Sequence, residues 1–332
     1  MPPLYITQQG ARLRIQERRL VVEQKGEKLL NVPLGHVSSI ILFGNIGLTT
    51  PAIGQLLENN LEVVFLSADG DYKGRLTAGV TPHVLVRRAQ YRCQDDPAFA
   101  LTFSKGIVQA KLSHQRALLR RNARAADHPQ IQDCLEQIRQ AIEQTPARTG
   151  RSSLRGLEGA ATASYFRGLR YLLGPEWKFE KRIRRPPTDP VNVLLSLGYT
   201  LLSQMAAGAV QAVGLDPYAG FFHEPVYNRP SLALDLVEEF RPVVDGVVLW
   251  SLNGGQLSPQ DFTPGPPERP VLLGEHGRKR FLAAFEQRME TRYTLPESGE
   301  KRTLRQCLIE QARQIARRVQ TNQAGYQGLG FR

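Results

Sequence analysis

Hydrophobic positions early in the chain come in short alternating or continuous runs, at Leu13/Ile15, Leu20 to Val22, Leu29/Leu30, Ile40 to Phe43 and Val63 to Leu66. Such runs read as strands, and Lys25-Gly26-Glu27 and Ala68-Asp69-Gly70-Asp71 supply the turns between them. One stretch breaks the pattern. Thr49 or Thr50 can cap a helix whose first position suits Pro51, and Ile53, Leu56 and Leu57 give it an apolar stripe that stops at Asn59-Asn60.

From Pro82 onward the apolar period becomes helical. Helices are expected over 99–126, 129–144 and 152–173, with Pro146 to Gly150 as a loop before the third. Thr188-Asp189-Pro190 can start a further helix. The stretch Val191 to Leu215 that follows carries no charge and is long enough to span a bilayer. Asn192, Ser196, Tyr199, Thr200, Ser203, Gln204 and Gln211 interrupt it, and Gly198 with Ala206 to Ala209 suits close packing, so the expectation is a buried central helix and no membrane. Phe262 to Pro270, with four prolines, reads as an irregular connection before helices at 279–289 and 303–321. The Gly-rich last ten residues are expected to fray or to be ordered by a partner. The fold class expected is α+β: a small β-rich domain over 1–85, then a larger all-α domain over 86–332.

Charge changes this picture from a fold to a partner. Among 332 residues, 43 Lys and Arg against 31 Asp and Glu give a net charge of +12, which suits a polyanion. The excess is concentrated. Leu85 to Ala125 holds nine Lys/Arg and two acids, with Arg116, Arg120 and Arg124 on one helical face; Arg148 to Arg185 holds ten and three, ending in Lys181-Arg182-Ile183-Arg184-Arg185. Such runs are either solvated faces or a track for nucleic-acid phosphates. Three scattered cysteines, Cys93, Cys134 and Cys307, suggest neither a disulfide framework nor a zinc site, and the N-terminus lacks a signal-peptide pattern; a reducing cytoplasm fits.

Candidate chemistry lies in three places. Glu158 is the only acid between Glu143 and Glu176, set among Gly156, Gly159, Ala160, Ala161 and Ala163, which would let other backbones approach closely. Buried there, it needs a cation: a metal ion, or an ion pair with Arg155 or Arg167. His223 ends a turn-forming segment; Tyr227 defeats a zinc-protease motif starting at His223-Glu224. Asp235, Glu238 and Glu239 can share a helical face, either as a solvated acidic surface or, given Leu232, Leu234, Leu236 and Val237, on a mostly buried helix. No P-loop, dinucleotide fingerprint, C-x-x-C or G-x-S-x-G is present. Carboxylates and imidazole without thiols suit a hard or borderline divalent cation.

These segments carry a resemblance. Leu157-Glu158-Gly159-Ala160-Ala161 with Tyr165-Phe166, Gly214-Leu215-Asp216-Pro217 with Gly220-Phe221-Phe222-His223, and Leu234 to Pro242 resemble the CRISPR-associated integrase and endonuclease of spacer acquisition, CRISPR-associated protein one. Gly277-Arg278-Lys279 with Phe285-Glu286, and Gly70 to Leu76, also look like that family. The resemblance implies an N-terminal β-domain that dimerises and a helical domain that holds Mg or Mn through Glu158, His223 and Glu238, with Asp235 as a further acidic site residue. Glu238 rather than Glu239 matches the family's acidic pair. It also implies double-stranded DNA, a homodimer and the small CRISPR-associated protein two as partners, in a prokaryotic cytoplasm. DNA-binding residues expected are Arg116, Arg120, Arg124, Arg182, Arg184, Arg185, Arg278 and Lys279. A catalytically silent DNA-binding scaffold, or a metal-dependent nuclease without a role in integration, are the alternatives.

Overall fold

The early apolar runs become strands of two sheets. In the computed structural model these are β1 (Leu4–Ile6), β2 (Arg12–Gln16), β3 (Arg19–Gln24), β4 (Glu27–Pro33), β5 (Ser39–Phe43), β6 (Gly47–Leu48), β7 (Glu62–Leu66) and β8 (Tyr72–Leu76), with helix α1 (Thr50–Glu58) between β6 and β7. One sheet has the order β1-β5-β7-β8 and the other β4-β3-β2-β6. Parallel pairing sets Ile40 beside Val63, and the β2/β3 hairpin sets Leu13 opposite Val22. That register sends Leu13, Leu20, Ile40 and Val63 into one core, which Leu56 of α1 joins, and each is 0% exposed. Burying such side chains stabilises by roughly 1.5–3 kcal/mol each. The Thr49 side chain caps α1 by accepting from the Ala52 amide at 3.3 Å, and Asn60, at φ 52°, turns the chain out of it. Strands β1 and β6 are too short for their period to be read, and β8 carries mostly polar residues, so none of the three stands out in the sequence.

The structure describes residues 1–79, 82–126, 128–295 and 299–330, the side chains of 124–126 excepted. It divides into two units, Met1–Val80 and Thr81–Arg332. The second is built from α2 (Val84–Asp95), α3 (Pro97–Ala126), α4 (Pro129–Gln144), α5 (Arg151–Arg170), α6 (Pro190–Ala212), α7 (Ser231–Asn253), α8 (Glu275–Met289) and α9 (Leu304–Gln320). Two short antiparallel ribbons accompany them, β9 (Phe262–Pro264) with β10 (Val271–Leu273) and β11 (Arg292–Thr294) with β12 (Lys301–Thr303). The proline-rich stretch expected to be irregular therefore holds an edge ribbon. Its prolines sit at strand ends or in the connecting turn, where a missing N–H costs no ladder bond. Helix α2 escapes a reading by period because it buries only Val86, Gln90 and Cys93.

Helix α6 is the core helix. It is long and apolar enough to cross a membrane by composition, but 61% of that apolar window is buried within the unit, and α6 packs on α7 and α9. Gly198 permits the approach to α7, since a Cβ there would meet Val244 Cγ1 at 2.4 Å. At the start of α6, Asp189 accepts from the Asn192 amide at 2.9 Å. Asn192, wholly buried, accepts from Ile183 N at 2.9 Å and Arg182 Nη1 at 2.8 Å, which fixes the basic segment against the helix.

Through residue 330 the Gly-rich tail is packed rather than frayed. Tyr326 and Leu329 are buried, Gln311 Nε2 donates to Gln327 O at 3.1 Å, and Gly328 lies where a Cβ would meet that of Ala110 at 2.4 Å. The residues that order it belong to the same chain. Gly328 thus reflects the close approach to α3, while Gly325 takes φ 118°, which suits glycine.

Deeper in the unit, Tyr165 of α5 donates to Asp245 Oδ2 of α7 at 2.6 Å, and Tyr199 of α6 donates to Oδ1. Three helices are thus joined through one carboxylate that is 1% exposed. Burial pushes Asp245 up to about 6, against the two hydroxyls and then Arg241 and Arg182, which pull it down.

Two predictions come from these contacts. Asp189→Ala removes the cap of α6 and a partner of Asn192, and is expected to lower stability by roughly 1–2 kcal/mol in chemical denaturation. For Asp245, the folded pKa of about 6 lies above the ordinary value of 3.8, so the native state keeps a proton that the unfolded chain has lost between those pH values. Its contribution to stability is therefore full below about pH 4 and is lost as pH rises through 6. Asp245→Asn is expected to flatten the stability curve over that window; an unchanged slope in metal-free denaturation at pH 4, 5 and 6 would remove Asp245 as its cause.

Candidate metal and DNA site

Three helices bring the candidate acids together around a lysine. Glu158 projects from the middle of α5, Glu238 from α7, and Lys111 from α3 places its ammonium against Glu158 Oε1 and 2.5 Å from Glu238 Oε2. The Lys111 and Glu238 side chains are 7% and 4% exposed, so neither charge can rely on water. Burial would lower the Lys111 pKa, but Glu238 and Glu158 reverse this and raise it. Burial would likewise raise Glu238; Arg241 foremost, then Lys111 and His223, hold it well below the usual carboxylate range instead. Arg241 Nε donates to Glu238 Oε1 at 3.0 Å, from the next helical turn. Thr162 adds a hydroxyl to Glu158 Oε1 at 2.8 Å.

The ion pair with Arg155 or Arg167 that the sequence leaves open for Glu158 is not formed. Arg155 reaches Glu224 at 2.7 Å, and Arg167 turns to Gln137 at 2.9 Å and Asp133 at 3.4 Å. The partner comes from α3, which no local spacing could reveal. Nor do Gly156 and Gly159 serve a close backbone approach. Cβ atoms there would meet nothing within 4 Å, and both residues are exposed, so this face of α5 lies open beside Glu158.

His223 enters from the segment before α7. Asp235, wholly buried, accepts the backbone amides of Phe221 at 2.6 Å, Phe222 at 3.0 Å and His223 at 2.9 Å. The same carboxylate lies 2.8 Å from His223 Nδ1. With Nδ1–H donated to Asp235, the ring turns Nε2 toward Glu238, 3.8 Å from Oε1. Asp235 therefore holds the loop and aims the imidazole. Gly220 makes this possible, because a Cβ there would meet the carbonyl carbon of Ser231 at 2.7 Å.

Glu239 stands apart from its neighbour. It is 0% exposed, accepts from Gln311 Nε2 at 3.1 Å, and is bonded by the Tyr326 hydroxyl and the Leu329 amide. No cation faces it. Burial pushes its pKa up to about 8 despite those donors. Glu238 faces the cluster and Glu239 anchors the tail.

Among the described residues no three His, Cys, Asp or Glu are arranged as a ready metal cage. The donor set nonetheless fits a divalent cation. Two carboxylates converge on one point already occupied by a positive charge, and Glu238 Oε2 is buried without an aligned hydrogen bond. His223 Nε2 faces the same place, and oxygen with imidazole donors suit Mg or Mn.

The basic residues divide by exposure. Arg184 and Arg185 are exposed, whereas Arg182 donates to Asn192 and to Ser196 Oγ at 3.1 Å and lies over the Tyr199 ring, so it is committed to the fold. Arg120 is exposed on α3; Arg116 is half-buried and lies near Glu136 of α4. The Arg124 side chain lies outside the described residues. Lys279 pairs with Glu275 at 2.8 Å, both exposed residues of α8, and Arg278 beside it is half-buried. Lys111 and Arg241 are the site residues that sequence reasoning missed. Each is a single basic residue on a buried helix face, and the one legible signal was Arg241 standing three residues after Glu238.

The family model "CRISPR associated protein Cas1" matches residues 4–287. A CRISPR-associated exonuclease Cas4/endonuclease Cas1 fusion from Rhodospirillum rubrum is 37% identical over 96% of this chain, which spans 55% of that relative's length. A solved casposase bound to integration product superposes with a TM-score of 0.87 at 22% identity, covering 98% of this chain and 93% of the casposase, a likeness of fold. A solved Cas6-RT-Cas1–Cas2 complex gives a TM-score of 0.85 at 28% identity, over 98% of this chain and 36% of the matched one. With the family model spanning most of its length and its helical unit built around the motif residues, the chain belongs to the CRISPR-associated Cas1 family.

Proposed function

We propose that this chain is a divalent-cation-dependent DNA endonuclease and integrase: the 3′ hydroxyl of a foreign DNA fragment attacks a phosphodiester at a CRISPR repeat border, giving up its proton as the new P–O bond forms, and the 3′ oxygen of the adjoining repeat-border nucleotide leaves. The observation that carries this reading is the convergence of Glu158 and Glu238 on one cationic point, with the His223 ring aimed at it, in a Cas1-family chain of net charge +12. Glu158, Glu238 and His223 would hold Mg or Mn. Bound there, the ion would supply positive charge to the reacting phosphate and lower the pKa of the attacking hydroxyl.

The chain's own groups do the rest by position. Asp235 fixes the imidazole, and Arg241 holds Glu238 ionised and ready as a ligand. The open face at Gly156, Gly159 and Ala160 admits a DNA backbone beside Glu158, and exposed Arg184, Arg185 and Arg120 neutralise its phosphates. Such preorganised charge needs no reorganisation when the pentavalent phosphate forms. Water in place of the 3′ hydroxyl makes the same site a nuclease.

Double-stranded DNA is the substrate, and the N-terminal unit forms the homodimer that the family resemblance implies. The likeness to a chain of a Cas1–Cas2 complex supports assembly with the small CRISPR-associated protein two. Three free, buried cysteines fit the reducing cytoplasm of a prokaryotic cell.

Glu158→Ala and Glu238→Ala are each expected to cut strand transfer and branched-DNA cleavage by roughly 100-fold or more, with duplex affinity changed less than about twofold. Strand transfer, cleavage and DNA affinity measured side by side in Mn test this. Wild-type turnover in both variants would refute the site, and a wild-type chain that binds branched DNA without turning it over in Mg or Mn would be a scaffold.

A further inference from the structure

Lys111 holds the place that a metal ion would need. Its ammonium lies against Glu158 Oε1 and 2.5 Å from Glu238 Oε2, and no second cation fits between partners so close. Arg241 is placed differently. It takes the other oxygen of Glu238, Oε1, at 3.0 Å, and its guanidinium carbon lies 4.6 Å from the centre of the Tyr199 ring, so it is braced where it stands. Lys111 is the weaker partner. Glu238 Oε2 is buried beside it without an aligned hydrogen bond, so the ammonium neutralises this oxygen without satisfying it.

The charges at this point already balance. Glu158 and Glu238 carry two negative charges, Lys111 and Arg241 carry two positive ones, and Asp235 is engaged by three amides and the imidazole. Adding a divalent ion would therefore leave two uncompensated positive charges where burial makes them costly. Two events relieve this: the ammonium moves away, or an anion arrives. A phosphate that receives the ammonium does both. There is a way out for it, because Glu158 is the most open of the three side chains, at 16%, and borders the exposed Gly156, Gly159 and Ala160. The four-carbon stem of lysine is flexible enough to swing the charge there while α3 stays in place.

We propose that Lys111 is an exchangeable counter-cation: it gives up Glu158 and Glu238 to the metal and passes to a phosphate of the DNA, so that metal binding and DNA binding are coupled through this one side chain. The coupling is reciprocal, each ligand tightening the other by the same factor. This rests on the metal-site reading and adds how the site is loaded. The lysine keeps the two carboxylates paired until DNA offers it another anion.

Two measurements on the full chain test this. In acetylation footprinting read by mass spectrometry, wild-type Lys111 is expected to be protected without metal, labelled several-fold faster in saturating Mg, and protected again once a short duplex is added, with exposed Lys28 as the internal standard. Mn uptake, read as loss of the free-ion spin resonance signal, is expected to tighten roughly tenfold in wild type when duplex is present. Lys111→Met should take up Mn without DNA nearly as tightly as wild type does with it, whereas Lys111→Arg keeps the charge and the weak, DNA-dependent uptake. If Lys111→Met is unfolded without metal, its melting transition should return on adding Mn; if it stays unfolded, the wild-type footprint decides. Lys111 protected throughout in saturating Mg, or equal Mn affinity in wild type and a folded Lys111→Met, would overturn the proposal and leave the metal site standing. A wild-type chain that takes up no Mn with or without DNA would overturn the metal site, and this inference with it.

Discussion

One ammonium group settles where the helices of the second unit can sit. Lys111 on α3 meets Glu158 of α5 and Glu238 of α7, and each of the three would be costly to bury alone. Removing Lys111 would leave two carboxylates facing one another in the interior, whereas removing one carboxylate leaves Lys111 paired with the other, so the lysine is the member of the cluster on which the mutual placement of three helices depends. The same arrangement concentrates acceptor oxygen at a point that can trade one cation for another. Structural charge balance and candidate chemistry are thus two uses of one constraint.

Much of the architecture was legible in the sequence because the signals were local. Period, turns and caps located β2, β3, β5, β7 and α1, and α4 (Pro129–Gln144) follows the limits that the pattern sets. What escaped was short, polar or non-local. Strands of two or three residues carry no period, and α2 buries too few residues to show a stripe. The fate of the tail depended on a partner ninety residues away in sequence, Glu239 with Leu329. For the site, motif resemblance brought Glu158, His223, Asp235 and Glu238 to notice, whereas Lys111 had no sequence neighbour to give it away. The basic residues show the limit of counting charge: Arg182 and Arg184 lie in one run, yet one is bonded to Asn192 and the other is exposed.

Adjacent residues on α7 show how far environment outweighs residue type. Glu238 faces Lys111 and Arg241 and stays ionised; Glu239, one position on, faces hydroxyl and amide donors with no cation among the described residues, and burial favours its protonated form. A rotation of about 100° around a helix separates them. Pro242, inside the same helix, has no N–H to give the Glu238 carbonyl, so the backbone at this residue lacks the bond that an ordinary helix would supply.

The attachment of Tyr326 and Leu329 to Glu239 also orders events in time. During synthesis α7 emerges long before the residues that satisfy its buried carboxylate. Until they arrive, Glu239 lacks the Tyr326 and Leu329 donors that satisfy it in the folded chain. The nascent helical unit therefore holds its acid-bearing helix in a provisional state, and residues 326–329, made some ninety residues later, convert it into a fixed one.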